Sequence, residues 1–386
     1  MNTKAIFAVL FIVLCNAACR NDDVIIPSEK EPVAPPDTTV TTPDEPQLTG
    51  FYLLNEGNMG TNKASLDFMN FKTGVYHRNI YDEANPSAPK GLGDVGNDLQ
   101  IYGSKLYAVI NLSNKVEVMD KHTAHRLGQI DIPNCRYIAF HEGYAYVTSY
   151  AGPVTFDPDL MQIGYVAKVD TATFEVIEQC LVGYQPDELA IVGNKLYVAN
   201  SGGYMIGNYE NTVSVINIET FTEIKRIEVA INLHRLEADA HGVLWVSSRG
   251  DNMEIPSRLC WIDTDADVCG GMLDIGVADM AINGDSLYMY SAGYSYITNE
   301  WEVNYAIVDV AKKEVVTRNF ITDGFEKNIV MPSGIMVNPQ NKNIYLTDAI
   351  NNVHPGKMYC FDSEGKMMWE VPQTGQIPAH FVLLYE

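Results

Sequence analysis

The chain has 386 residues, with 26 Lys+Arg against 49 Asp+Glu and a formal charge of −23. That balance excludes a phosphate-tracking nucleic-acid binder and adsorption to anionic lipid headgroups, both of which need a basic surface. At 46% hydrophobic and 19% charged, the chain can bury a sizeable core, which excludes wholesale disorder.

Residues 1–18 read as a secretory signal. Lys4 precedes an apolar run from Ala5 to Leu14, and Asn16-Ala17-Ala18 supplies small residues before Cys19. The run is too short to span a bilayer as a mature helix. Cys at the first mature position resembles a bacterial lipobox, so Cys19 is expected to be diacylated and to hold the chain to a membrane by its lipid alone. Arg20-Asn21-Asp22-Asp23 resembles the export signal that places Bacteroidetes lipoproteins on the outer face of the outer membrane. Residues 19–49 follow as an expected disordered tether, with six prolines among Thr, Asp and Glu. Asp37-Thr38-Thr39 within it resembles a Bacteroides O-glycosylation sequon.

Residues 50–386 carry a repeat. An apolar-aromatic pair recurs as Phe51-Tyr52, Leu106-Tyr107, Ala145-Tyr146, Leu196-Tyr197, Leu244-Trp245, Leu287-Tyr288 and Ile344-Tyr345. The aromatic positions are 55, 39, 51, 48, 43 and 57 residues apart, which brackets the period of a four-stranded propeller blade with variable loops. Alternating strands and polar turns surround each pair, and no long helical period competes. The first repeat lacks an inner strand, whereas His380-Phe381-Val382-Leu383-Leu384-Tyr385 is a strand without a blade. The fold expected is therefore all-β: a seven-bladed β-propeller whose C-terminal strand completes blade one, which removes the open edge.

In a propeller the inner strand A leaves the top face and strand B returns to it, so the B–C and D–A loops gather there. Residues opening strand A are expected to ring the channel mouth: Asp98, Tyr137, Glu188, Arg235, Asp279, Ser333 and His380. Those ending strand B stand beside them: Asn55, Glu56, Asn111, Tyr150, Asn200, Arg249 and Asp348. The B–C connections of blades three to seven read as long loops and bring Tyr204, Tyr294 and Trp301 to the same face. Amide, carboxylate, guanidinium and phenol groups with aromatic walls make a hydrogen-bonding bowl, suited to a large polar ligand.

Enzymatic chemistry finds little support. Gly91-Leu92-Gly93-Asp94-Val95-Gly96 matches the dinucleotide pattern but lacks the strand-then-helix context, and reads as a D–A loop. Asp263 to Asp267 begins like a calcium loop, but Val268 stands where the sharp turn needs Gly, so a hairpin turn is expected. His122 and His125 flank an underside turn without a third metal ligand. No Gly-x-Ser-x-Gly elbow exists for a serine nucleophile. A metal lactonase on this fold would draw on Glu56, Asn111 and Asn200, and stays open as the minority reading. Cys260 and Cys269 are symmetric about Thr264-Asp265, and a bridge between them is left open.

The lipoprotein signal, the Pro/Thr tether, Tyr52-Leu53-Leu54-Asn55-Glu56-Gly57 and Val198-Ala199-Asn200-Ser201-Gly202 together resemble the Bacteroidetes surface propeller lipoproteins once labelled surface-layer proteins. Within them the similarity is to the BtuG-like lipoproteins. That resemblance implies a non-catalytic, cell-surface receptor on the outer membrane, with cobalamin or a related corrinoid as bound ligand and no catalytic cofactor. It implies as partner a BtuB-like TonB-dependent transporter. A glycan-binding lipoprotein is the alternative, because the aromatic side chains would serve sugars too.

Overall fold

The structure, a computed structural model, describes residues 29–36, 46–88, 91–251, 253–295 and 300–386. The signal segment, Cys19 and Asp37-Thr38-Thr39 lie outside them. Seven antiparallel sheets form the seven blades: blades two to seven are four-stranded sheets in chain order, and blade one is a composite of both chain ends whose four-stranded blade carries an added edge strand. The inner strands are Gly96–Tyr102, Cys135–His141, Pro186–Val192, Leu233–Ala238, Asp279–Asn283, Pro332–Val337 and Pro378–Tyr385. Each touches the next, and the last returns to the first, so the ring is closed. Closure occurs as the sequence suggests: Pro378–Tyr385 pairs with Leu48–Asn55, Phe51 opposite Leu383.

The core lies between blades rather than at the centre. Seven buried clusters each join two neighbouring blades, from Tyr52 and Leu99 between blades one and two to Phe51 and Met358 between seven and one. Period-2 strands explain this: alternate side chains point to opposite faces of a sheet, and both faces meet another blade. The repeated aromatic residues serve these interfaces from early in strand B, six of the seven being fully buried. Three of them are tied by their polar ends beneath: Tyr52 donates to the Lys121 carbonyl (2.7 Å), Tyr197 to Asp267 Oδ1 (2.7 Å), and Trp245 Nε1 to Asp239 Oδ2 (2.9 Å).

Three expectations need correction. The acidic Pro/Thr segment is not all free tether: Glu29–Pro32 forms a strand antiparallel to Val75–Arg78 and makes blade one five-stranded. Extended, proline-rich backbone suits an edge position, where unpaired N–H groups cost nothing. Strand B of blade one starts at Leu48, already buried, rather than at Gly50. In blade six the B–C connection is no long loop. Strands Ser286–Ser295 and Glu300–Asp309 continue upward, and Tyr294 pairs with Trp301 in register. The bridge left open between Cys260 and Cys269 does not form: the turn lies one residue later than symmetry assumed and a bulge follows, so Cys260 pairs with Met272 and Cys269 with Ile262, and both thiols are free.

The rejected motifs sit as expected. Gly91–Gly96 leads into a strand, not a helix. Asp263 Oδ1 accepts the N–H groups of Asp265 and Ala266, which closes a hairpin turn. Among the described residues no helix is long and apolar enough to cross a membrane.

Candidate binding mouth on the top face

Strand A of blades three, four and five breaks its ladder in the same way. Cys135 pairs with Ser149 and Ile138 with Val147, so Arg136 and Tyr137 face Thr148 alone. Asp187 and Glu188 face Ala199, and His234 and Arg235 face Ser247. Each is a β-bulge, which re-aims side chains and often stands beside a site. Hydroxyls opposite two of the bulges accept the freed backbone donors: Tyr137 N–H donates to Thr148 Oγ1 and Arg235 N–H to Ser247 Oγ. Two consecutive residues per blade therefore reach the mouth instead of one.

The result is a compact polar cluster. Asp187, fully buried, accepts from Arg136 Nε (3.2 Å) and the Tyr150 hydroxyl (2.7 Å) on one oxygen, and from Arg249 NH1 (3.0 Å) on the other. The Arg136 guanidinium lies 4.9 Å from the Tyr150 ring centroid, a cation–π contact. Arg235 pairs with Asp279 (2.8 Å), stands 3.8 Å from Glu188 and lies 5.6 Å from the Tyr137 ring centroid. The Tyr137 hydroxyl meets His234 Nε2 at 2.9 Å. Opposite, His380 meets Glu56 at 3.1 Å.

Burial dominates the acid–base character of the mouth. It raises the Glu188 carboxyl to about 8, with Arg235 opposing, and the neighbouring Glu237 to about 7. It raises Asp279 as well, against the opposing pull of Arg235 and His380. It holds His234 well below the usual imidazole range, and Arg249, Arg235 and Arg136 push in the same direction. His234 is therefore neutral at physiological pH.

The residues expected at the mouth separate into two groups. Tyr137, Tyr150, Glu188, Arg235, Arg249 and Asp279 converge as described, with Glu56 and His380 on the far rim. Asp98, Asn55, Asn111, Asn200 and Asp348 are buried and spent on the fold. Asp98 accepts the N–H of Ile138 and so stitches blade two to blade three. Asn111 donates to Asn134 and to the Cys135 carbonyl, and Asn200 donates to Thr212 and Ser214. Asn55 donates to Ser65, and Asp348 caps the N–H groups of Val330, Met331 and Ile350. Ser333 donates to the Pro378 carbonyl. Of the amide oxygens that a metal would use, that of Asn200 accepts the Gly183 N–H, and among the described residues no group of three or more His, Cys, Asp and Glu stands together.

Arg136, Asp187 and His234 were missed. Each precedes a residue that strict alternation sends to the mouth, and alternation sends them away. The signal was the hydroxyl across the ladder, Thr148 or Ser247.

The loops around the mouth expose several apolar side chains. Phe156 is 67% exposed and packs edge-on against Tyr204 at 5.9 Å; Leu160, Ile206 and Val353 are also exposed, and Met253 is 85% exposed. A cleft of about 660 Å³ lies to one side, between blades one and seven, with Arg78, Asp82, Asn85, Gln373 and Gln376 among its walls. For Tyr294 and Trp301 only the backbone pairing is described.

A closed ring of seven such sheets defines a β-propeller protein with a top-face mouth. The chain belongs to the family described as a domain of unknown function, DUF5074, whose model matches residues 49–382. Comparison with curated proteins finds no match. Solved structures share the fold. A quinonprotein alcohol dehydrogenase-like protein from Bacteroides thetaiotaomicron is 12% identical, with TM-score 0.60 over 88% of this chain and 79% of its own. A protein from Bacteroides fragilis, provisionally described as a 6-phosphogluconolactonase, is 11% identical, with TM-score 0.58 over 90% of this chain and all of its own. Hydrazine synthase of Kuenenia stuttgartiensis is 16% identical, with TM-score 0.55 over 70% of this chain and 77% of its own.

Proposed function

We propose that this protein is a non-catalytic surface receptor that captures cobalamin or a related corrinoid at the top-face mouth. It then passes the ligand to a TonB-dependent outer-membrane transporter, while a lipid on Cys19 holds it to the outer membrane. The observation that carries this reading is the pairing of a rigid, polar mouth with exposed apolar loops around it. A corrinoid is an apolar macrocycle fringed by amides, too large for an enclosed pocket. Phenol, guanidinium and carboxyl groups would answer the amides, and Phe156, Ile206 and Met253 the ring. Bulges, hydroxyl caps and ion pairs fix most of the mouth side chains in advance, which lowers the ordering cost of binding. The test is direct: mix the full-length protein in detergent with cyanocobalamin, separate by size, and look for co-migrating red absorbance. Colourless protein at micromolar concentrations overturns the reading.

The exposed Phe156–Tyr204 pair favours a second reading, a glycan-binding lipoprotein, since stacked rings hold sugar faces as well. Retention on an immobilised polysaccharide together with colourless protein in the first test would select it.

A further inference from the structure

At one side of the mouth two guanidiniums converge on a single buried carboxylate, in a chain whose net charge is −23. Arg235 faces two carboxyl groups, Asp279 at 2.8 Å and Glu188 at 3.8 Å. Arg136 and Arg249 instead share the single carboxylate of Asp187, at 3.2 and 3.0 Å, and Tyr150 donates to it as well. One negative charge cannot neutralise two guanidiniums. His234 stands beside them with Nε2 on Tyr137 and with Nδ1 enclosed and unpartnered. Arg249 is the reachable cation, its side chain 37% exposed against 17% for Arg136.

We propose that Arg136, Arg249 and His234 form an oxyanion-binding subsite, which takes a phosphate-ester or carboxylate group of the ligand entering the mouth. A guanidinium fork matches two oxygens of such a group, and a charge-assisted bond is stronger than a neutral one. Asp187 orients both forks before the ligand arrives, so little reorganisation is needed. The incoming anion also completes the local charge balance, two cations against two anions, where solvent screening is reduced. The inference rests on the mouth being a binding face, and not on the ligand being a corrinoid.

Calorimetric titration of the full-length protein in detergent with inorganic phosphate, and separately with acetate at matched ionic strength, tests it. Saturable binding of an oxyanion is expected, weakened at least about tenfold by Arg249→Ala and unchanged by His122→Ala on the underside. Arg249→Gln keeps most of the stem packing and should lose binding equally, so a folding defect in the alanine variant would not decide the matter. Phosphate binding tighter than acetate supports a phosphate ester as the natural group; acetate equal or tighter supports a carboxylate. Absence of saturable binding of either anion at millimolar concentrations, or an Arg249→Gln protein that binds like wild type, overturns the proposal. A colourless cyanocobalamin test would leave this result standing, and the reverse also holds.

Discussion

At the scale of single residues, Asp187 is the pivot of the mouth. Removing its carboxylate leaves two guanidiniums and a phenol facing protein without an acceptor. Breaking a buried ion pair in this way costs about 3–5 kcal/mol. Asp187→Ala should therefore lose stability on that order in urea unfolding, where Tyr150→Phe should lose only about 1–3 kcal/mol. Glu188 gives a pH signature. Burial raises its folded carboxyl to about 8, above the ordinary value of 4.5. Across that window the folded state keeps a proton that the unfolded chain has released, so stability falls as pH rises. Melting temperatures should decline between about pH 5 and about pH 8, and Glu188→Gln should flatten the decline. Part of the slope will persist, because Glu237 is raised in the same sense to about 7. For ligand capture, Arg249→Ala or Trp301→Ala should weaken corrinoid binding at least about tenfold, mostly through faster release. The same measurement on His122→Ala, an exposed underside turn, should show no change.

At the scale of elements, the two chain ends both add strands to blade one, but with different consequences. Pro378–Tyr385 is the inner strand, packed against the inner strands of blades two and seven. Deleting His380–Glu386 should strip that blade of its inner edge, expose Phe51 and Leu53, and drive aggregation visible in size exclusion. Glu29–Pro32 sits on the outside, paired only with Val75–Arg78. Its deletion should lower the melting temperature slightly and leave a monodisperse propeller. This outer strand places residues 29–32, within the segment expected to be tether, at the outer edge of blade one. Such placement could not be read from composition. Proline and acidic residues exclude an independent fold but not the edge of a sheet that others have built.

For the whole molecule, the proposed function asks that one rigid body be held at a membrane by lipid alone. Cys19→Ala should then move the protein from the membrane to the soluble fraction, since no described helix could retain it. Unchanged fractionation after a carbonate wash would contradict the anchor. The seven inter-blade cores make the propeller stiff. The loops above them carry Phe156, Ile206 and Met253 outward without loss of core, while the outer strands expose apolar side chains of their own, among them Ile177, Leu181 and Val316.

The sequence by itself determined the number of blades, their strand order and the circular closure. Those properties follow from period-2 patterning and from a repeat spacing that any closed array must honour. It also determined which face holds the loops, and it brought Tyr137, Glu188, Arg235, Arg249 and Asp279 to one mouth. The tertiary structure decided which side chains line the mouth. Three bulges let Arg136, Asp187 and His234 join residues that alternation would have placed opposite them. Neighbouring blades claimed Asp98, Asn111 and Asn200 for hydrogen bonds that sequence position alone cannot reveal. Whether a polar side chain faces a ligand or satisfies a backbone donor depends on what stands across the interface. That is settled only when the sheets pack.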